Sequence, residues 1–195
     1  SAASDVYKRQ DELKNIARNN GIVGAGGAGF PAYAKMTEKA DTVILNCVEC
    51  EPLLKLHRQL LATHTEEIIQ MLDEVRESFG AKEAVIGIKS EYVTTIKAIE
   101  EVIGDFPNVR ICALKAAYPM GDEVVLIYEA TGRVIKPGGL PIDENVVVYN
   151  VETMYNLYRA VHLNIPVTNK LVSIVGEIDH PLTVRVPLGT TVKEA

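Results

Sequence analysis

Three cysteines, no cluster of basic residues and no long apolar run set the first limits on this 195-residue chain. Three thiols are too few for a disulfide framework and fewer than the four that hold a cubane iron–sulfur cluster. In an acidic chain whose N-terminus lacks the apolar core of a secretory signal, they point to a reducing, cytoplasmic setting. Lys and Arg number 20 against 26 Asp and Glu, a formal net charge of −6. With no basic stripe to neutralise phosphates, nucleic acid is not an expected partner. No apolar run is long enough to cross a bilayer, so no direct membrane span is expected. What remains is a 47% hydrophobic chain, enough for one α/β core and part of a second domain.

The most informative stretch is Gly24-Ala-Gly-Gly-Ala-Gly29-Phe30-Pro31. Four glycines in six residues leave backbone amides free to approach a phosphate or a flat ring, and Pro31 suits the first turn of a following helix. The spacing satisfies G-x-G-x-x-G, yet the dinucleotide fingerprint needs a strand before the first glycine. Here Asp11 to Asn20 reads as an amphipathic helix, with Leu13, Ile16 and Ala17 on one face. A ligand cradle and a plain connection between two helices both remain open.

Further along, Pro31 to Glu38 predicts a short helix carrying Lys35, and Thr42 to Asn46 a buried parallel strand. Leu60 to Phe79 has one helical period closed by Gly80. Glu83 to Ile88, Val93 to Ile103 and Val109 to Leu114 predict strand, helix, strand. A helix over Val124 to Ala130, the run Val146 to Asn150, and helical periodicity to Val161 follow. Alternation with short connections selects a Rossmann-like parallel sheet with helices on both faces. After a boundary near Pro166 to Asn169, two short strands, Leu171 to Val175 and Leu182 to Val186, suggest a small β-containing domain. Residues 1–10 resemble a translated sequencing adapter and are read as a non-native scar, and the chain as an internal fragment.

Chemistry-bearing residues gather at predicted strand ends, where ligands of doubly wound sheets collect. Glu49 and Glu51 are spaced to share a face in an extended segment, as acceptors for hydroxyl or amide groups, an acid–base pair or a metal site. His57 and His64 do not complete a metal-ligand spacing. Cys47-Val-Glu-Cys50 is a lone C-x-x-C, read as a pair of small buried residues ahead of a redox dithiol. Lys35 could meet a phosphate or a reduced flavin, and Phe30 could stack on a planar ligand.

Taken together, the glycine stretch with Phe30-Pro31, Asn46-x-x-Glu-Cys-Glu-Pro52, Tyr118-Pro-Met-Gly-Asp-Glu123, Lys136-Pro-Gly-Gly-Leu-Pro141 and Asn150-Val-Glu-Thr153 resemble the flavin domain of RnfC-like electron-transfer subunits. That group is similar to the 51 kDa NADH-oxidising subunit of complex I. The resemblance covers roughly residues 11–165. It implies FMN lying along the glycine loop and reduced by NADH, with electrons passing to 4Fe-4S clusters in a C-terminal region outside these residues. Gly24, Gly26, Gly27, Gly29, Lys35 and Asn46 would line the flavin. Glu49, Tyr118, Gly121 and Glu123 would surround its ring and ribityl chain, and Asn150 and Thr153 would hold its phosphate. Phe30, Glu51 and Lys136 would meet NADH. The protein would need to stack two rings rather than supply an acid or base, so no catalytic side chain or metal ligand is assigned.

On the same resemblance, residues 11–167 form the FMN domain and 168–195 begin a β-grasp domain of the soluble-ligand-binding type. Partners would be other electron-transfer subunits or a downstream reductase, in the cytoplasm, at the periphery of a membrane complex or inside a microcompartment. Two features depart from the complex I pattern: Cys47-Val48 replaces small or acidic residues, and Gly138-Gly139-Leu140 lacks an aromatic that helps hold NADH. A relay fed by a protein donor, or a scaffold without redox chemistry, are the alternatives.

Overall fold

The computed structural model describes residues 2–36 and 40–194, with side chains from residue 9 onward. Four parallel strands, β1 (Thr42–Cys47), β2 (Glu83–Lys89), β3 (Val109–Leu114) and β4 (Val146–Asn150), pair in the order β3-β2-β1-β4. The β-branched runs that form them have the residue alternation of a sheet buried on both sides. Val43, Leu45, Ala84, Ile86, Val147 and Tyr149 face one core, while Ile44, Val85, Val146 and Val148 face the other.

The larger core is covered by five helices: α1 (Ala2–Asn19), α2 (Leu56–Thr63), α3 (Thr65–Phe79), α4 (Val93–Val102) and α6 (Val151–Leu163). The smaller core has, among the described residues, α5 (Glu123–Thr131), through Leu126, Ile127 and Ala130. That helix lies close because β2 carries Gly87 beneath it; a Cβ there would stand 2.5 Å from Leu126. Asp122 caps α5 by accepting from the amides of Val124 and Val125 at 3.0 and 3.2 Å. Helices on both faces of a parallel sheet is therefore the architecture, as the alternating pattern predicts.

Three expected boundaries change. The helix expected over Leu60 to Phe79 is two helices, because His64 leaves helical geometry (φ −122, ψ 44) and the Thr65 hydroxyl bonds back to the Leu61 carbonyl at 2.8 Å. One apolar period runs through both, so the break leaves no trace in the pattern. The first helix begins at Ala2 rather than Asp11; Gln10 is buried and Arg9 pairs with Glu77 at 3.3 Å. The helix expected from Pro31 to Glu38 is a single 3-10 turn, Ala32–Lys35, with Met36 already extended, while Thr37 and Glu38 lie outside the described residues.

An antiparallel hairpin, β5 (Asn169–Ile174) and β6 (Leu182–Pro187), follows, and just before it the Val167 amide bonds to the Asn20 carbonyl at 3.0 Å. No helix among the described residues is long and apolar enough to cross a membrane.

Candidate cofactor site

From β1 the chain moves to β2 on one side, and only after β3 does it return to place β4 on the other side of β1. The order therefore reverses between β1 and β4, the place where open α/β sheets leave a crevice beyond their strand ends. A cavity of about 410 Å³ lies there, lined among others by Gly24, Gly26, Asn46, Glu49, Asn150 and Thr153.

One wall is backbone. The glycine loop is closed at its base by Gly24 N–H to Phe30 O (2.7 Å), Ala32 N–H to Ile22 O (3.0 Å) and a bridge between Val23 and Pro31. Gly27 and Gly29 have φ of 118° and 61°, which lets the chain double back within six residues. The loop is tied to the start of α6 by the Ala25 amide, which donates to Thr153 Oγ1 at 3.0 Å. The next three amides, of Gly26, Gly27 and Ala28, have no acceptor among the described residues. The loop adjoins, through Ala25 and Gly26, the N-terminus of α6, whose cap is Asn150, accepting from the Glu152 amide at 2.9 Å. Unpaired amides beside a helix N-terminus attract an anion.

The facing wall is built of side chains already engaged. Asn46, near the end of β1, donates to the Gly121 carbonyl at 3.0 Å and accepts from the Val48 amide at 2.9 Å, so it fastens the loop before α5 to the strand. Gly121 comes so near that a Cβ would meet the Val48 carbonyl oxygen at 2.6 Å and Cys50 Sγ at 2.7 Å. Glu49 is 4% exposed and turns inward, where Oε1 accepts from the His57 amide at 2.9 Å. The N-cap of α2, Lys55, makes no side-chain cap bond, so a carboxylate six residues earlier in the chain serves that helix end. Glu49 Oε2 lies 3.7 Å from Arg58 Nε, within ion-pairing range but beyond hydrogen-bond reach, and has no hydrogen-bond partner among the described residues. Burial raises the Glu49 pKa above the usual carboxylate range, against the His57 amide and the Arg58 charge.

His57 joins the two walls, since its Nε2 sits 3.0 Å from Asn150 Nδ2. The amide nitrogen can only donate, so Nε2 accepts and the ring is neutral on that side. Burial, aided by the Lys170 charge, lowers the His57 pKa to about 4, in keeping with that geometry.

At the rim, Lys35 Nζ donates to the Val148 carbonyl at 3.0 Å, stands 3.5 Å from Glu123 Oε1 and lies 6.0 Å from the centre of the Phe30 ring. Phe30 is 48% exposed. A second hollow of about 750 Å³ borders the first along the open edge of β4, sharing Ala28, Phe30, Lys35, Glu123 and Val148 and extending over Leu140, Pro141 and Ile142.

Residues 17–159 match the family described as the Nuo51 FMN-binding domain. The chain belongs to that family. Cobalamin reductase PduS of Citrobacter freundii is 38% identical over 194 residues, which is 100% of this chain and 42% of that protein. An RnfC-type relative, from the Na(+)-translocating ferredoxin:NAD(+) oxidoreductase complex of Acetobacterium woodii, is 33% identical over 184 residues, 92% of this chain and 42% of that one. The chain thus spans about two fifths of the length of these relatives. An NAD+-reducing [NiFe]-hydrogenase solved in its H2-reduced state shares the fold at a TM-score of 0.78 and 23% identity, over 95% of this chain and 38% of the matched one. RnfC-like subunits are the relatives that the motifs indicate, and the chain carries the FMN-binding domain of this electron-transfer subunit family.

Within this FMN-binding domain the expected residues divide by position. Gly24, Gly26, Phe30, Lys35, Asn46, Glu49, Glu51, Gly121, Glu123, Asn150 and Thr153 line the one cavity. Gly27, Gly29, Tyr118 and Lys136 do not line it. Gly27 and Gly29 shape the bend of the loop, Tyr118 is 83% exposed, and Lys136 sits in the turn where its carbonyl accepts from Gly139 at 2.8 Å. The expectation that Glu49 and Glu51 share an extended face is also corrected: β1 ends at Cys47, Glu49 is buried, and Glu51 stays exposed at the mouth. Cys47 is buried and Cys50 half-buried, both as free thiols, and burial raises the Cys47 pKa well above the usual thiol range. The part His57 plays in joining the walls is one that metal-ligand spacing does not bring out; its nearness to Glu49 in sequence is a usable signal for a helix start returning to the strand end.

Proposed function

We propose that this domain binds FMN non-covalently in the cavity between the ends of β1 and β4, takes electrons from NADH, and passes them to iron–sulfur clusters carried beyond these residues. The observation that carries the reading is the meeting, at one cavity, of the glycine loop, whose Gly26 and Ala28 amides have no acceptor among the described residues, with a buried Glu49 carboxylate oxygen that has no hydrogen-bond partner among them. The first suits a phosphate, and the second needs a hydrogen-bond donor such as a ring N–H or a ribityl hydroxyl. A Cβ on Gly26 would project toward Asn150 Nδ2 at 3.5 Å and thicken the floor on which a flat ring would lie. These residues fit the group.

In this reading the amides of Gly26, Gly27 and Ala28, with Asn150 and Thr153, hold the phosphate. Asn46 and Gly121 fix the strand end against which the ring rests, and Lys35 places a positive charge at its margin. When bound, FMN supplies a ring that accepts a hydride and releases electrons singly to one-electron carriers. Phe30 and the apolar hollow beyond it would orient the nicotinamide cofactor, with Glu51 at the mouth; Tyr118 and Lys136 would have to approach from their exposed loops. The names of the relatives, a cobalamin reductase and a ferredoxin:NAD(+) oxidoreductase subunit, support redox partners of this kind. The hairpin β5–β6 is read as the first strands of a β-grasp domain, and other electron-transfer subunits as the partners.

Two measurements test the proposal. Purified protein mixed with FMN should quench flavin fluorescence and retain flavin absorbance after desalting, and Gly27→Asp should abolish both. A colourless wild-type protein would favour a scaffold without a flavin. For the donor, NADH added anaerobically to the flavin-loaded longer protein should bleach the flavin band; an unchanged spectrum there removes NADH and points to a protein donor.

A further inference from the structure

The segment that follows α6 returns to the first turn of that helix. Glu152, the second residue of α6, is 2% exposed, and its carboxylate is held by the beginning of β5. Lys170 Nζ donates to Oε2 at 2.5 Å, the Leu171 amide donates to Oε1 at 3.2 Å, and Lys170 Nζ also donates to the Leu171 carbonyl at 2.8 Å. Both carboxylate oxygens are therefore engaged by adjacent residues of the hairpin.

Glu152 stands between Asn150 and Thr153, which line the cavity, within about 5 Å along the helix axis. A carboxylate alone in that turn would set a negative charge beside the amides that suit an anion. Like charges at this range oppose each other, and burial weakens the solvent screening that would soften the conflict. The Lys170 ammonium, bonded to that carboxylate, offsets it.

We propose that Lys170 is a positioning residue for the flavin phosphate: by holding and neutralising Glu152, it keeps the first turn of α6 receptive to an anion and couples seating of the hairpin to retention of the phosphorylated flavin. This rests on the FMN reading above. His57, which touches Asn150, the cap of the same helix, has its pKa lowered by burial first and by the Lys170 charge second. The Lys170 side chain is 37% exposed, so water tempers its field and the effect is of moderate size. Coupling of two sites is reciprocal, so the phosphate should in turn steady the hairpin.

The test is a binding cycle on the full 195-residue chain with two probes, FMN and riboflavin, which differ by the phosphate alone. Lys170→Met should weaken FMN about tenfold, within the usual range of coupling between sites, and riboflavin less than about twofold. Lys170→Met combined with Glu152→Gln should recover most of the loss, because the uncompensated charge is gone. Equal weakening of both flavins, or no recovery in the double variant, would reduce Lys170 to a structural clasp and overturn the inference. In the unmodified chain, amide hydrogen exchange reads the same coupling without a substitution. Saturating FMN should slow exchange at Leu171 and along β5 more than saturating riboflavin, and equal protection would overturn the inference. A wild-type chain that binds neither flavin would overturn the FMN reading instead.

Discussion

The two walls of the cavity are built on opposite plans. The Gly24–Gly29 wall presents backbone without side chains; a Cβ on Gly27 or Gly29 would meet no neighbour within 4 Å, yet three successive amides have no acceptor among the described residues. The β1 wall presents a glycine with no room at all and side chains that already have partners, Asn46 on both sides and Glu49 on one. Glycine thus serves two purposes around one cavity, leaving donors bare in one loop and admitting a neighbouring stretch of chain in the other. One wall offers bare donors, while the other is set by the fold.

Substitutions can break this contrast. The largest effect is expected at Gly121→Val, where the new side chain would run into the Val48 carbonyl and Cys50 Sγ. Overpacking against backbone should destabilise the protein by about 3 kcal/mol, a fall in Tm of roughly 6–12 °C for a chain of this size. An unshifted Tm would show that the loop before α5 yields.

Next comes pH, through the residue that joins the walls. The folded chain keeps His57 unprotonated to about pH 4, whereas the unfolded imidazole takes its proton near 6.5. Below pH 6.5 the unfolded state binds more protons, so stability is fully present above that value and falls as pH drops toward 4. Between pH 7 and pH 5 the loss should be about 2 kcal/mol, and His57→Gln should flatten that part of the profile in urea titrations. A variant as acid-sensitive as wild type would move the cause elsewhere.

Smaller again is Thr153→Val, which removes the acceptor of the Ala25 amide while keeping the shape of the side chain. About 1 kcal/mol of stability should go, together with flavin affinity, because the loop loses its tie to α6. The smallest change in stability belongs to Gly26→Ala. Its Cβ makes only an ordinary 3.5 Å contact with Asn150 Nδ2 and its φ lies outside the positive range, so the chemical midpoint should move by less than about 0.5 kcal/mol. Flavin affinity should nevertheless fall at least about tenfold. Stability loss at Gly26 equal to that at Gly121 would erase the distinction between the walls.

Much of the frame is legible in the residues alone. Short β-branched runs alternating with amphipathic segments identify β1, β2 and β3 to within a residue or two, since a strand buried on both faces has little freedom of composition. The break at His64 is not legible, because the same apolar stripe continues across it and a side-chain bond from Thr65 decides where the helix stops. Glu49 and Glu51 illustrate the same gap at the site. Their spacing speaks only of an extended chain, whereas a returning helix end draws Glu49 inward and leaves Glu51 at the surface. Tyr118 and Lys136 sit in motifs as clear as any other, yet their backbones carry them to exposed loops.

By itself the amino-acid order determined which residues could be strand, helix or bare loop, because period, branching and the missing side chains of glycine are local properties. Only the tertiary structure decided that Ala25 meets Thr153, that His57 meets Asn150 and that Lys170 meets Glu152. Those pairings span up to 128 positions and follow from where the strand order reverses, a packing outcome of the whole sheet that no single stretch encodes.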